Sequence, residues 1–270
     1  MFILCVLLFR DRSESRLRPS CRLSFRLVSL SPHRCNEQRL GSVEALCKSP
    51  LLASTASQLM GIPRVRLYQD SLFVKRYLDG KTPWHIDARM SPFDTQHFIT
   101  FWIPLQDIPS DGTGLVFVSK SHSDMALPYW NEVDVSEEYT RLEERYGVSD
   151  DDSLTTKYYM PTKMGDVTVH SGWTLHCSDA NQRTDKSGKA RSDRYALAIT
   201  YVDARAEVRE GVFDSINRLN GKQVQGKAVS SSYRGDDEDT SSFLPWIRDV
   251  KPRSQFSHDL VPLVWPTQAS

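Results

Sequence analysis

From Val65 to Val202 the chain reads as a series of short apolar runs, rich in β-branched and aromatic residues and broken by Gly, Pro, Asp and Ser. That rhythm predicts strands joined by turns. Val65 to Tyr77 is extended, with a turn at Gln69-Asp70-Ser71, and Asp79-Gly80-Lys81 makes a second turn. After a loop at Ser91 to Asp94 comes the longest run, Gln96 to Asp107 (QHFITFWIPLQD). Its nearly continuous apolar character predicts a central strand covered on both faces. Gly114 to Ser119, Gly165 to His170, Trp173 to His176 and Arg194 to Val202 complete the series, with a turn at Ser171-Gly172. The last of these carries Tyr195, Leu197, Ile199 and Tyr201 on one face and Arg194, Ala196, Ala198 and Thr200 on the other. The small face predicts room beside Arg194 for a ligand rather than for another sheet. Many short strands with few helices among them predict a mainly β sandwich or barrel.

Elsewhere the spacing is helical. Val43, Leu46, Leu51, Leu52, Leu59 and Met60 form an apolar stripe interrupted at Pro50, which predicts two short helices ended by Gly61-Ile62-Pro63. Between Ser123 and Lys163 the strand rhythm stops: Asp134 and Glu137 have capping-box spacing, and Val135, Tyr139, Leu142 and Tyr146 make a stripe that Gly147 ends. This segment, with its acidic loop at residues 150–152, reads as an insertion: a solvated flap or, at the mouth of a site, a substrate lid. The expected organisation is a leader (1–41), a β domain (42–204, with the insertion at 123–163) and an extension (205–270) packing on the outside of the β domain. That extension contains a predicted helix at Val212 to Leu219, a polar stretch at Ser230 to Ser242 and closing apolar patches.

Composition narrows the function classes. A formal net charge of zero gives no field favouring nucleic acid or an anionic membrane. The five Cys, at 5, 21, 35, 47 and 177, include no CxxC pair, which argues against a disulfide framework or structural zinc and for a reducing compartment. Met1 to Phe9 is apolar but far shorter than the roughly 20 residues that span a bilayer. The chain from there to about Arg39 is rich in Arg and Ser and poor in acids, the composition of an organellar transit peptide or of a leader without an address. The expected location is intracellular, cytoplasmic or organellar, and no transmembrane segment is predicted.

The chemistry centres on Trp84-His85-Ile86-Asp87. On a strand, His85 and Asp87 would project to one side, and two His with one carboxylate is the facial set that holds non-haem Fe(II). A His-x-Asp pair is short enough to arise by chance, and the chain has a second in His122-Ser123-Asp124. In a jelly roll the second His should follow several intervening strands, which suits His85 with a partner near the end of the series; His122 reads as a hydrogen-bonded residue at a strand end. His170 and His176 both compete for that place, His176 being favoured because Arg194 follows on the next strand. A guanidinium meets a carboxylate with two parallel hydrogen bonds, which makes Arg194 the expected anchor for a dicarboxylate, against its alternative as a surface ion pair.

These residues resemble the phytanoyl-CoA dioxygenase family. The resemblance rests on His85-x-Asp87, the run Gly114 to His122, Gly165-Asp166 leading to His176-x-Ser178-x-x-Asn181, and Arg194-x-Ala196-Leu197. It covers about Leu46 to Asp203, with a weaker echo in Leu260 to Pro266. It implies a double-stranded β-helix and an Fe(II)- and 2-oxoglutarate-dependent oxygenase, with His85, Asp87 and His176 as iron ligands and Arg194 on the distal carboxylate of 2-oxoglutarate. It further implies that Ser178, Trp102 and Lys75 line the co-substrate pocket. Two departures stand out. The helices and strand that usually open the fold are replaced by the Arg-rich leader, and the run usually read as Pro-Gly-Ser-His is Ser119-Lys120-Ser121-His122.

The resemblance implies consumption of O2, release of succinate and CO2, and hydroxylation of a C–H bond in a small organic substrate, with ascorbate as an accessory reductant. Family members that halogenate lack the carboxylate, so Asp87 points to hydroxylation. Two other readings compete. A cupin of another reaction class would commonly use His-x-His, which this chain lacks. A β-barrel binding protein that has lost activity would keep the ligands without turnover.

Overall fold

A computed structural model describes residues 41–76, 79–123, 156–181, 192–209, 244–247, 249–255 and 257–266. The helices expected at Asp134 to Gly147 and Val212 to Leu219, and the polar stretch at Ser230 to Ser242, lie outside these residues. The chain opens on α1 (Gly41–Cys47) and α2 (Pro50–Met60). Pro50 sits at the first turn of α2, where its missing N–H costs no hydrogen bond. Gly61 ends α2 in the left-handed region (φ 67°) with its N–H returning to the helix, as the sequence predicts.

The strands are β1 (Val65–Lys75), β2 (Thr82–His85), β3 (Phe93–Asp94), β4 (Phe98–Pro104), β5 (Leu115–Val118), β6 (Thr156–Tyr158), β7 (Thr168–Ser171), β8 (His176–Ser178), β9 (Arg194–Asp203), β10 (Glu207–Val208) and β11 (Leu263–Trp265). Two short helices, α3 (Asp87–Met90) and α4 (Leu244–Ile247), complete the set. One sheet has the order β11-β1-β9-β4-β7, a second β2-β8-β5-β6, and β10 pairs with β3. Neighbours in the sheets are mostly distant in sequence, the connectivity of a double-stranded β-helix. No helix among the described residues is long and apolar enough to cross a membrane.

Contacts divide the chain into two compact units. The first takes in Ser71–Ile86 and Thr100–Ala198. Its apolar core joins Trp102, Ile108, Leu115, Phe117, Ala196 and Ala198, with Tyr159 and Met160 packed against them. The second takes in the described residues up to Asp70, Asp87–Ile99 and Ile199 onward. There Tyr68 meets Phe93 and Phe98 edge-on, Phe93 stacks on Trp246, and the Tyr201 hydroxyl donates to the Cys47 carbonyl at 2.8 Å.

Several expectations need correction. Gln69-Asp70-Ser71 is not a turn: β1 runs through it, with Asp70 buried. Phe93–Asp94 is a strand rather than loop, because β10 supplies its partner. Residues 156–158, assigned to the insertion, pair with β5 in register. Trp173 to Leu175 is not strand: the Thr174 N–H donates to the Ser171 carbonyl at 2.9 Å, so the chain is still turning there and β8 starts only at His176. Leu263–Trp265, expected only as part of a closing apolar patch, forms the edge strand of the five-stranded sheet against β1.

Candidate functional site

β2 and β8 pair antiparallel with His85 opposite His176 and Thr82 opposite Ser178. The two imidazoles lie 4.2 Å apart between ring centres. Asp87 is not on the strand with His85, as alternation had suggested, but is the first residue of α3. The strand ends after His85, and the turn into α3 rather than the pleat brings the carboxylate back. One ligand atom from each of His85, Asp87 and His176 lies within 4.8 Å of the others. Among the described residues this is the one group of His, Cys, Asp or Glu so arranged.

His176 is buried, and its Nδ1 is 2.9 Å from the Thr174 carbonyl oxygen. A carbonyl only accepts, so Nδ1 carries the proton and Nε2 keeps its lone pair for a cation. The turn before β8 is itself held: the Leu175 N–H donates to Ser121 Oγ at 2.9 Å, and that hydroxyl donates to the Val118 carbonyl at 2.9 Å. Here the departure Ser119-Lys120-Ser121-His122 finds its place. Lys120 takes φ 65°, the left-handed conformation that suits glycine, and the turn forms regardless.

Ser178 follows His176 by two on the same strand, so both face one side, about 7 Å apart along the chain. Two cations converge on its hydroxyl: Lys75 Nζ at 3.3 Å and Arg194 Nη2 at 3.4 Å. Lys75 also donates to the Ser178 carbonyl at 3.1 Å and to Thr82 Oγ1 at 3.2 Å. Trp102 lies beside the Arg194 guanidinium, 5.3 Å from ring centre to Cζ. Arg194 is 6% exposed, and its Nε and Nη1 have no hydrogen-bond partner among the described residues. Burial holds the Arg194 guanidinium down at about 10; burial and then the charge of Arg194 bring the Lys75 amine down to about 8. Buried cations lacking full compensation are the groups that an incoming anion stabilises most.

The expected site residues therefore fall into two clusters along β8: His85, Asp87 and His176 at one end, and Lys75, Trp102, Ser178 and Arg194 at the other. The small face of β9 is less open than its sequence suggests, since Ala196 and Ala198 are buried in the core with Trp102 and Phe117. Sequence reading missed Thr82, Thr174 and Ser121. Thr174 and Ser121 act through backbone groups and Thr82 accepts from Lys75 across a turn, and no side-chain pattern signals such roles. Asn181, quoted only as part of a motif, bridges the Lys75 and Ser192 carbonyls at 3.1 Å each and so ties β1 to the approach to β9.

The profile of the family described as phytanoyl-CoA dioxygenase (PhyH) matches residues 23–190. No curated protein sequence matches the chain. Among solved structures the chain is similar to the non-heme alpha ketoglutarate dependent epimerase SnoN of nogalamycin biosynthesis, in complex with Fe3+, alpha ketoglutarate and nogalamycin RO. The TM-score is 0.54 at 21% identity, over 85% of this chain and 76% of that one. It is also similar to the alpha ketoglutarate dependent carbocyclase SnoK of the same biosynthesis, with TM-score 0.53 at 20% identity over 84% and 72% of the two chains. At such identities the likeness is one of fold.

Proposed function

Since this chain belongs to the phytanoyl-CoA dioxygenase family, we propose that it hydroxylates a C–H bond of a small organic substrate, using Fe(II) and 2-oxoglutarate and releasing succinate and CO2. The observation that carries the reading is the buried guanidinium of Arg194, two of whose donor nitrogens have no hydrogen-bond partner among the described residues, on the same side of the β8 strand as the His–Asp–His group. A carboxylate is the ligand that matches that fork.

In this reading His85, Asp87 and His176 hold the iron, and Asp87 contributes the negative charge that a neutral third ligand would not. When bound, iron and 2-oxoglutarate supply the oxidising power, O2 being consumed. The chain's own groups bind and orient. Arg194 and Lys75 take the distal carboxylate. Ser178 Oγ, already accepting from both cations, has its own proton left to donate to that carboxylate. Thr174 fixes the tautomer of His176. Trp102 and Phe117, both buried, keep water from the cations and the imidazoles. Occupation of all three protein positions by His, Asp and His favours hydroxylation over halogenation.

Succinate formation from 2-oxoglutarate, with Fe(II) and ascorbate over a panel of small organic substrates, tests the reading. Arg194→Ala is expected to raise the KM for 2-oxoglutarate about 100-fold, the scale of removing one partner of a buried charge pair. Tight binding of metal and 2-oxoglutarate with no turnover on any substrate would favour a non-catalytic binding protein. With labelled O2, a product that gains no labelled oxygen would replace hydroxylation by another outcome, such as the epimerisation or ring closure named for SnoN and SnoK.

A further inference from the structure

We infer that His170 is a positioning residue for His176, holding its imidazole from the five-stranded sheet so that Nε2 stays aimed at the metal; the inference rests on the metal-site reading above. His170 is on β7, in the five-stranded sheet, whereas His176 is on β8, in the four-stranded one. The His170 side chain is 2% exposed and its ring centre lies 4.5 Å from that of His176, at an interplanar angle of 55°. Phe117, the Cα partner of His176 in the β5–β8 pairing, touches both rings, at 5.2 Å from His170 and 5.9 Å from His176.

The imidazole of His176 thus has ring contacts from its own sheet, through His85 and Phe117, and one from the other sheet, through His170. Its hydrogen bond to Thr174 fixes the tautomer through a backbone group only two residues away. The ring of His170 packs against the imidazole from a different strand and sheet. His170 is not in the group whose ligand atoms converge, so its part is packing against a ligand rather than ligation. Removal of the ring would leave a void beside a metal ligand, and packed neighbours relax into such voids only in part.

Co(II) serves as the probe, titrated into the full chain and followed by calorimetry and by its ligand-field absorption. His170→Ala is expected to weaken Co(II) binding about 10-fold or more, the usual cost of losing a partner that orients a metal-bound His. Its absorption band should change shape, while the KM for 2-oxoglutarate at saturating Fe(II) stays within about twofold, since the Arg194 cluster is untouched. His170→Phe keeps the ring without its nitrogens and should restore binding to within about threefold of wild type. Should His170→Ala fail to fold, His170→Val leaves a smaller void and carries the same comparison. Wild-type Co(II) affinity and spectrum in the truncated variant would overturn the inference, as would a His170→Phe protein as weak as His170→Ala. A wild-type chain that takes up no Co(II) at all would bring down the metal-site reading itself, a result distinct from either.

Discussion

On the proposed function, Lys75 is the residue whose protonation bears on binding of the co-substrate. Its amine is held at about 8 by burial first and by Arg194 second, against an ordinary 10.5. Below pH 8 the free protein offers two cations to a dicarboxylate, and above it the amine loses its proton. A bound dianion raises the Lys75 pKa again, so affinity should fall by up to about tenfold per pH unit above the transition. The KM for 2-oxoglutarate is therefore expected to be flat below pH 8 and to climb above it, whereas in Lys75→Met it should be higher and lack that climb. Initial rates against 2-oxoglutarate across the pH range decide the matter; a wild-type climb that persists in Lys75→Met would assign the titration elsewhere. The unliganded protein should respond in the opposite sense. Between about 8 and 10.5 the unfolded chain binds more protons than the folded one, so the lysine's destabilising contribution fades as pH rises through that window.

At the scale of elements, what pattern could reveal was the long and the locally determined. β4 is buried at every position from Phe98 to Pro104, and its unbroken apolar run says so in advance. The two opening helices and their break at Pro50 follow from local chemistry as well. The strands that escaped notice have two or three residues: β3, β6, β10 and β11 exist because partners elsewhere in the chain complete them. For the candidate site, the sequence offered residue types and spacing but not the placement that brings His85, Asp87 and His176 together. Asp87 reaches His85 through a turn into α3, and His170 packs beside His176 without joining the converging group. The turn after β5 offers an element-scale test. Lys120 at φ 65° carries strain of about 1–2 kcal/mol that glycine does not, against about 0.5–1 kcal/mol of extra unfolded-state entropy for glycine. Lys120→Gly should therefore stabilise the fold slightly, by about 0.5–1 kcal/mol, seen as a higher urea midpoint at unchanged m-value. A lower midpoint would mean that the lysine side chain contributes more than its backbone costs.

On the scale of the whole molecule, residues late in the chain belong to its interior. Trp246 is 1% exposed and stacks on Phe93 at 5.7 Å between ring centres. Trp246→Ala should cost about 3–5 kcal/mol, read as a fall in the chemical-denaturation midpoint, and a loss under 1 kcal/mol would show that the segment docks only loosely. The same region ties down β1: Val65 faces Trp265, the Leu67 N–H donates to the Pro262 carbonyl, and Arg66 Nη1 donates to the Val261 carbonyl at 2.9 Å. On the ribosome, then, β1 emerges nearly two hundred residues before the strand that covers its edge. Through most of translation the nascent protein carries an uncovered strand edge, open to pairing with other chains. Synthesis halted before residue 263 would leave that edge uncapped, although His85, Asp87, His176 and Arg194 would all have been made.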